Sequence, residues 1–93
     1  MEAVKWYRRA AEQGLPNSQQ NLGVCYAKGK GVEKDFAEAY AWLNLASVTT
    51  EKGAAYRDIL EKEMSPQQIA DAQKRTKELR AIIAANAKAK AGK

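Results

Sequence analysis

Apolar residues recur three and four positions apart along most of the chain, with polar residues filling the positions between them. That spacing predicts helices that each bury one stripe. Ala3, Trp6/Tyr7 and Ala10 form the first stripe, in a helix over about 2–13. Gln19, Leu22 and Tyr26 form the second, over 16–28. Ala39, Trp42/Leu43 and Ala46 form the third, over about 36–50. Tyr56, Ile59, Leu60 and Met64 share one side of a fourth helix over 54–64. Ile69, Ala72, Thr76, Leu79 and Ile83 line a fifth, whose other face is Lys74, Arg75, Lys77, Glu78 and Arg80.

The residues between the stripes agree with these boundaries. Pro16 suits a first helical turn, where its missing N–H removes no hydrogen bond. Gly29, in the run Lys28-Gly29-Lys30-Gly31-Val32, is a natural C-cap. Asp35 followed by Glu38 is a start signal, with the aspartate capping free N–H groups of the next helix. Ser65-Pro66-Gln67-Gln68 is another, with serine as N-cap and proline at the first position. Gly23 costs about 1 kcal/mol relative to alanine inside a helix, so its place beside Leu22 predicts a close helix–helix approach. Residues 84–93 hold no apolar anchor beyond alanine and are expected to fray.

The chain also repeats itself. Glu2-Ala3-Val4-Lys5-Trp6-Tyr7-Arg8-Arg9-Ala10 and Glu38-Ala39-Tyr40-Ala41-Trp42-Leu43-Asn44-Leu45-Ala46 share Glu, Ala, Trp and Ala at a constant offset of 36 residues. A period of this length is the mark of stacked helix pairs.

Asn21-Leu22-Gly23-Val24-Cys25-Tyr26-Ala27-Lys28-Gly29-Lys30-Gly31-Val32, followed by Asp35-Phe36-Ala37-Glu38-Ala39, resembles the Sel-like repeat, a relative of the tetratricopeptide repeat. The segment from Glu2 to Gly14, ending Ala11-Glu12-Gln13-Gly14, resembles the second helix of a preceding repeat. The resemblance covers roughly residues 2–50. It implies an all-α fold of about five helices: a short right-handed α-solenoid of antiparallel helix pairs. Within one domain over 1–93, it divides the chain into a partial repeat (1–14), one complete repeat (15–53), a capping helix pair (54–85) and a basic flexible tail (86–93). Two departures stand out. The segment Ser47 to Gly53 is three residues longer than its counterpart Ala11 to Gly14. Helix 2–13 also has no earlier helix to cover its packing face, which makes it a candidate for self-association.

The resemblance further implies protein or peptide binding on a concave face lined by the first helix of each repeat. Carried onto this chain, the candidate contact residues are Asn17, Gln20, Val24, Ala27 and Lys28. Asn17, Gln20 and Lys28 would hydrogen-bond an extended backbone, and Val24 would touch a side chain.

Composition narrows the function. With 45% hydrophobic and 29% charged residues, the chain has the balance of a soluble globular protein. No apolar run approaches the roughly 20 residues of a membrane span. The N-terminus lacks a secretory apolar core, so a cytoplasmic location and no membrane partner are expected. There is no histidine and one cysteine, Cys25, which removes the commonest general base and metal ligand. Cys25 therefore reads as a small core residue. Glu61 and Glu63 point apart on a helix, and Gly29-Lys30-Gly31 lacks the longer phosphate-loop pattern. No enzyme activity, cofactor or metal is expected. Trp6, Tyr7, Tyr26, Tyr40 and Trp42 sit at core spacing, which argues against base stacking. The charge is uneven. Residues 1–64 are neutral overall, whereas 65–93 carry 7 Lys/Arg against 2 Asp/Glu. Lys74, Arg75, Lys77 and Arg80 thus form an alternative basic patch for nucleic acid or an acidic protein.

Overall fold

A computed structural model of the chain describes residues 2–91. Five helices follow one another: α1 (Glu2–Glu12), α2 (Pro16–Lys28), α3 (Phe36–Ala46), α4 (Glu51–Glu61) and α5 (Pro66–Ala91). Among the described residues there is no strand. The helices stack as a short right-handed α-solenoid of antiparallel pairs. α3 is the central element, packed against α2, α4 and α5.

Most helix ends lie where the chain's capping residues put them. Asp35 accepts a hydrogen bond from the Glu38 N–H at 3.1 Å and starts α3. Ser65 and Gln68 form a full capping box: the Gln68 N–H donates to Ser65 Oγ (3.1 Å) and the Ser65 N–H donates to Gln68 Oε1 (2.8 Å). Gly29 closes α2 in the left-handed region, φ 68°.

Four boundaries differ by three residues or more from the sequence expectation; one is the end of α4, at Glu61 and not at Met64. α3 stops at Ala46 and α4 starts at Glu51, because Thr50 serves both ends. Its hydroxyl donates to the Ala46 carbonyl at 3.2 Å and accepts the Gly53 N–H at 3.0 Å. α5 runs on to Ala91, so the expected flexible tail is helical over 86–91, while Gly92 and Lys93 lie outside the described residues. The extra turns are tied down. Asn86 Nδ2 donates to the Glu12 carbonyl at 2.9 Å, and Lys90 Nζ donates to Gln13 Oε1 at 2.5 Å. α5 therefore closes the back of the stack and reaches from α3 to the end of α1.

Two buried clusters meet at α3. One joins Val4 and Ala11 of α1, Leu22 of α2, Ala41 and Trp42 of α3 and Leu79 of α5, with Cys25 half-buried at its edge. The other joins Ala39, Tyr40 and Leu43 of α3 with Leu60, Met64 and Ala72. Burying each such large side chain contributes about 1.5–3 kcal/mol. The aromatic residues divide. Tyr40 and Trp42 are buried and Tyr7 and Tyr26 half-buried, but Trp6 is 65% exposed, against the expectation of a core position. α1 has described neighbours on one side only, and Trp6 lies on the other, with the Arg9 guanidinium over its ring at 5.7 Å.

Candidate protein-binding groove between α2 and α4

α2 and α4 run along the same side of the stack and leave a groove between them. Val24, Ala27 and Lys28 of α2 form one wall. Tyr56, Ile59 and Leu60 of α4, with Glu63 just beyond it, form the other. Leu43 and Phe36 of α3 make the floor, and Lys34 stands at the mouth. The lining is mostly apolar. Ile59 is 59% exposed and Tyr56 43%, although both belong to a helix with a well-buried face. Large apolar side chains left in solvent along one wall of an apolar concavity are the pattern of a binding surface.

The structure brings three of the five predicted contact residues into this groove: Val24 and Ala27, half-buried, and Lys28, exposed. Asn17 and Gln20 lie nearer the start of α2, outside the lining. Sequence reasoning missed the α4 wall. It assigned Tyr56 and Ile59 to the same inward stripe as Leu60 and Met64, whereas only the last two are buried. The available signal was positional: α4 opens the next helix pair, as α2 opens the complete repeat.

The basic patch is reorganised. Lys74, Lys77 and Arg80 are exposed and border a shallow hollow with Asn44, Ala70 and Gln73. Arg75 does not join them. It turns to α3, where its Nε pairs with Glu38, and its Nη1 donates to Glu78 at 3.1 Å. Burial opposes its charge, but the hydrogen bonds to Glu38 and then Glu78 outweigh that and raise its pKa. Arg75 is thus a bridge between α3 and α5. Among the described residues no cluster of three His, Cys, Asp or Glu side chains is placed to hold a metal ion. None of the described helices is long and apolar enough to cross a membrane.

Comparison with known proteins agrees with this architecture. The Sel1 repeat profile matches residues 1–15 and 16–47. The crystal structure of a protective antigen present in uropathogenic Escherichia coli strains, displaying an SLR fold, superimposes with a TM-score of 0.80 at 34% identity. That match covers 91% of this chain and 20% of the antigen's. A chitin synthase regulator of Saccharomyces cerevisiae is 40% identical over 53 residues, which is 57% of this chain and 8% of the regulator. The DAP3-binding cell death enhancer 1 of Rattus norvegicus is 45% identical over 38 residues, 41% of this chain and 8% of its own. The chain thus spans under a tenth of the length of these two relatives. Repeats of this kind generally serve as protein–protein interaction modules. Matched in two consecutive segments over more than half of its length, and folded as a stack of antiparallel helix pairs, the chain belongs to the Sel1 repeat family.

Proposed function

We propose that this chain is a non-catalytic adaptor or small protein inhibitor that holds a segment of a partner protein in the groove between α2 and α4. One observation carries the reading: Ile59 and Tyr56 stand exposed across a concave apolar surface from Val24 and Ala27. Burying them would contribute to binding in proportion to the apolar area removed from water. The relatives named above, a regulator and a binding protein, support the same class of function.

A photo-crosslinking side chain at Ile59, compared with one at Lys77, tests it in a cell extract. Adducts with a defined protein from position 59, lost when Val24→Asp is added and helicity is unchanged, are the expected result. Adducts from position 77 alone would refute it.

A second reading has its own observation. Lys74, Lys77 and Arg80 share one exposed hollow, and among the described residues none has a carboxylate within 4.0 Å. Such a patch suits nucleic acid or an acidic protein surface. That reading requires binding that falls steeply with salt and disappears in a Lys74→Glu/Lys77→Glu variant.

A further inference from the structure

We infer that the groove selects a partner segment that carries a large apolar side chain beside a carboxylate. The inference rests on the groove reading above and adds the chemistry of the occupant.

Its basis is the way the chain turns after α2. Gly29 adopts φ 68°, and a Cβ on it would lie 3.3 Å from Lys34 Cβ. The loop therefore folds back tightly over the end of α2. The Asp35 N–H fixes this return by donating to the Tyr26 carbonyl at 3.0 Å. As a result Lys28, the last residue of α2, and Lys34, six residues on, both line the groove. Lys34 Nζ is 5.0 Å from the centroid of the Phe36 ring, and Phe36 is part of the floor. The ammonium is thus held against the apolar surface by the ring's negative face.

The other charges nearby leave this cation pair in excess. Among the described residues neither Lys28 nor Lys34 has a carboxylate within 4.0 Å. Glu63 is the one acidic residue in the described lining. Glu33 and Asp35 border a separate hollow beside Tyr26 and Val32, with Lys34 at their shared edge. Asp35 is moreover occupied in capping α3. An apolar side chain seated between Val24 and Ile59 would bring its neighbouring carboxylate to the two ammonium groups. Exposed ion pairs are individually weak, so two of them raise affinity about three- to tenfold. Salt screens that gain.

Titration of the isotope-labelled full chain with capped peptides, followed by NMR, tests the inference. Three peptides hold a central phenylalanine flanked by aspartates, by serines or by lysines. A fourth replaces the phenylalanine of the aspartate peptide with serine. The expected result is shifts of the Val24, Ala27 and Ile59 amides, with the aspartate–phenylalanine peptide binding about three- to tenfold tighter than the serine-flanked one. Glu63→Gln should tighten it further, and Lys28→Glu/Lys34→Glu should reverse the order in favour of the lysine-flanked peptide. Equal binding of the three phenylalanine peptides would overturn the charge selection while leaving the groove as the site. Equal binding of the serine-centred aspartate peptide would overturn the apolar anchor. Shifts elsewhere, or none with any peptide at millimolar concentration, would overturn the groove reading as well.

Discussion

Gly23 of α2 faces Leu43 of α3 so closely that a Cβ on the glycine would lie 2.7 Å from the leucine Cγ and 3.1 Å from the Ala39 carbonyl oxygen. Leu43 is 1% exposed and packs in the cluster with Ala39, Tyr40 and Leu60. Gly23→Ala gains about 1 kcal/mol of helix propensity. Overpacking costs about 1–3 kcal/mol, and here the obstacle includes backbone, so the upper part of that range applies. We expect a net loss of about 1–2 kcal/mol in urea unfolding. An unchanged or raised midpoint would show that α2 and α3 can separate slightly without penalty.

The Glu38 carboxylate links two side chains. Its Oε2 accepts the Trp42 indole N–H at 3.2 Å, and its Oε1 pairs with Arg75 of α5. Trp42 is fully buried, so removing the acceptor leaves the indole donor without a partner. Glu38→Ala should cost about 1–3 kcal/mol. Arg75→Met, which keeps the aliphatic stem, should cost less than 1 kcal/mol, as expected of a partly exposed pair. Equal losses in thermal or denaturant unfolding would mean that Glu38 stabilises the fold mainly through the ion pair and not through the indole hydrogen bond.

Tyr40 gives the fold an alkaline limit. Burial raises its pKa, and the negative charge of Glu61 raises it further. The folded state therefore holds the phenolic proton more tightly than the unfolded chain does. Its contribution is complete below the ordinary tyrosine pKa of about 10, and is lost as pH rises from there through the folded value. Stability should decline on that alkaline side, and Tyr40→Phe should flatten the decline. A parallel decline in both proteins would place its origin in other groups.

Ile59 and Leu60 are sequence neighbours with opposite expected behaviour. Leu60 is 5% exposed within the cluster around Leu43, so Leu60→Ala should cost about 2–5 kcal/mol. Ile59→Ser at an exposed position should change stability by no more than about 0.5 kcal/mol. Equilibrium unfolding of the two variants checks this directly. A large loss from Ile59→Ser would mean that the residue packs inside the fold and is not displayed in the groove.

The last turns of α5 hold the far end of the stack. Asn86→Ala removes the hydrogen bond to the Glu12 carbonyl and should cost about 1 kcal/mol. Hydrogen exchange should quicken at residues 10–14 as well as in α5 beyond Ile83. Exchange at 10–14 that does not change would show that the contact has no energetic consequence.

Much of this architecture was legible in the sequence. The helical periodicity, the offset of 36 residues, the Asp35 and Ser65 caps and the glycine after α2 are local features, although in α1 the buried residues are Val4 and Ala11 and not the expected Ala3 and Trp6. Each follows from what neighbouring residues do to their own backbone. The repeat identified the class of fold, and the candidate residues Val24, Ala27 and Lys28 lie on the side of α2 that lines the groove. What the sequence could not assign was which stripe would be covered. Trp6 and Trp42 occupy equivalent positions in nearly equivalent helices, yet one is 65% exposed and the other buried. The difference lies in their neighbours: α3 packs against α2, α4 and α5, whereas α1 is flanked on one side among the described residues. The same reason explains Tyr56 and Ile59, which share a helix with Leu60 but face a groove instead of α3. It also explains Arg75, whose place among four cations gave no sign that Glu38 lies within reach, 37 residues away. Periodicity determines which side of a helix is apolar. Only the packing of helix against helix decides how much of that side is withdrawn from water and how much is left exposed.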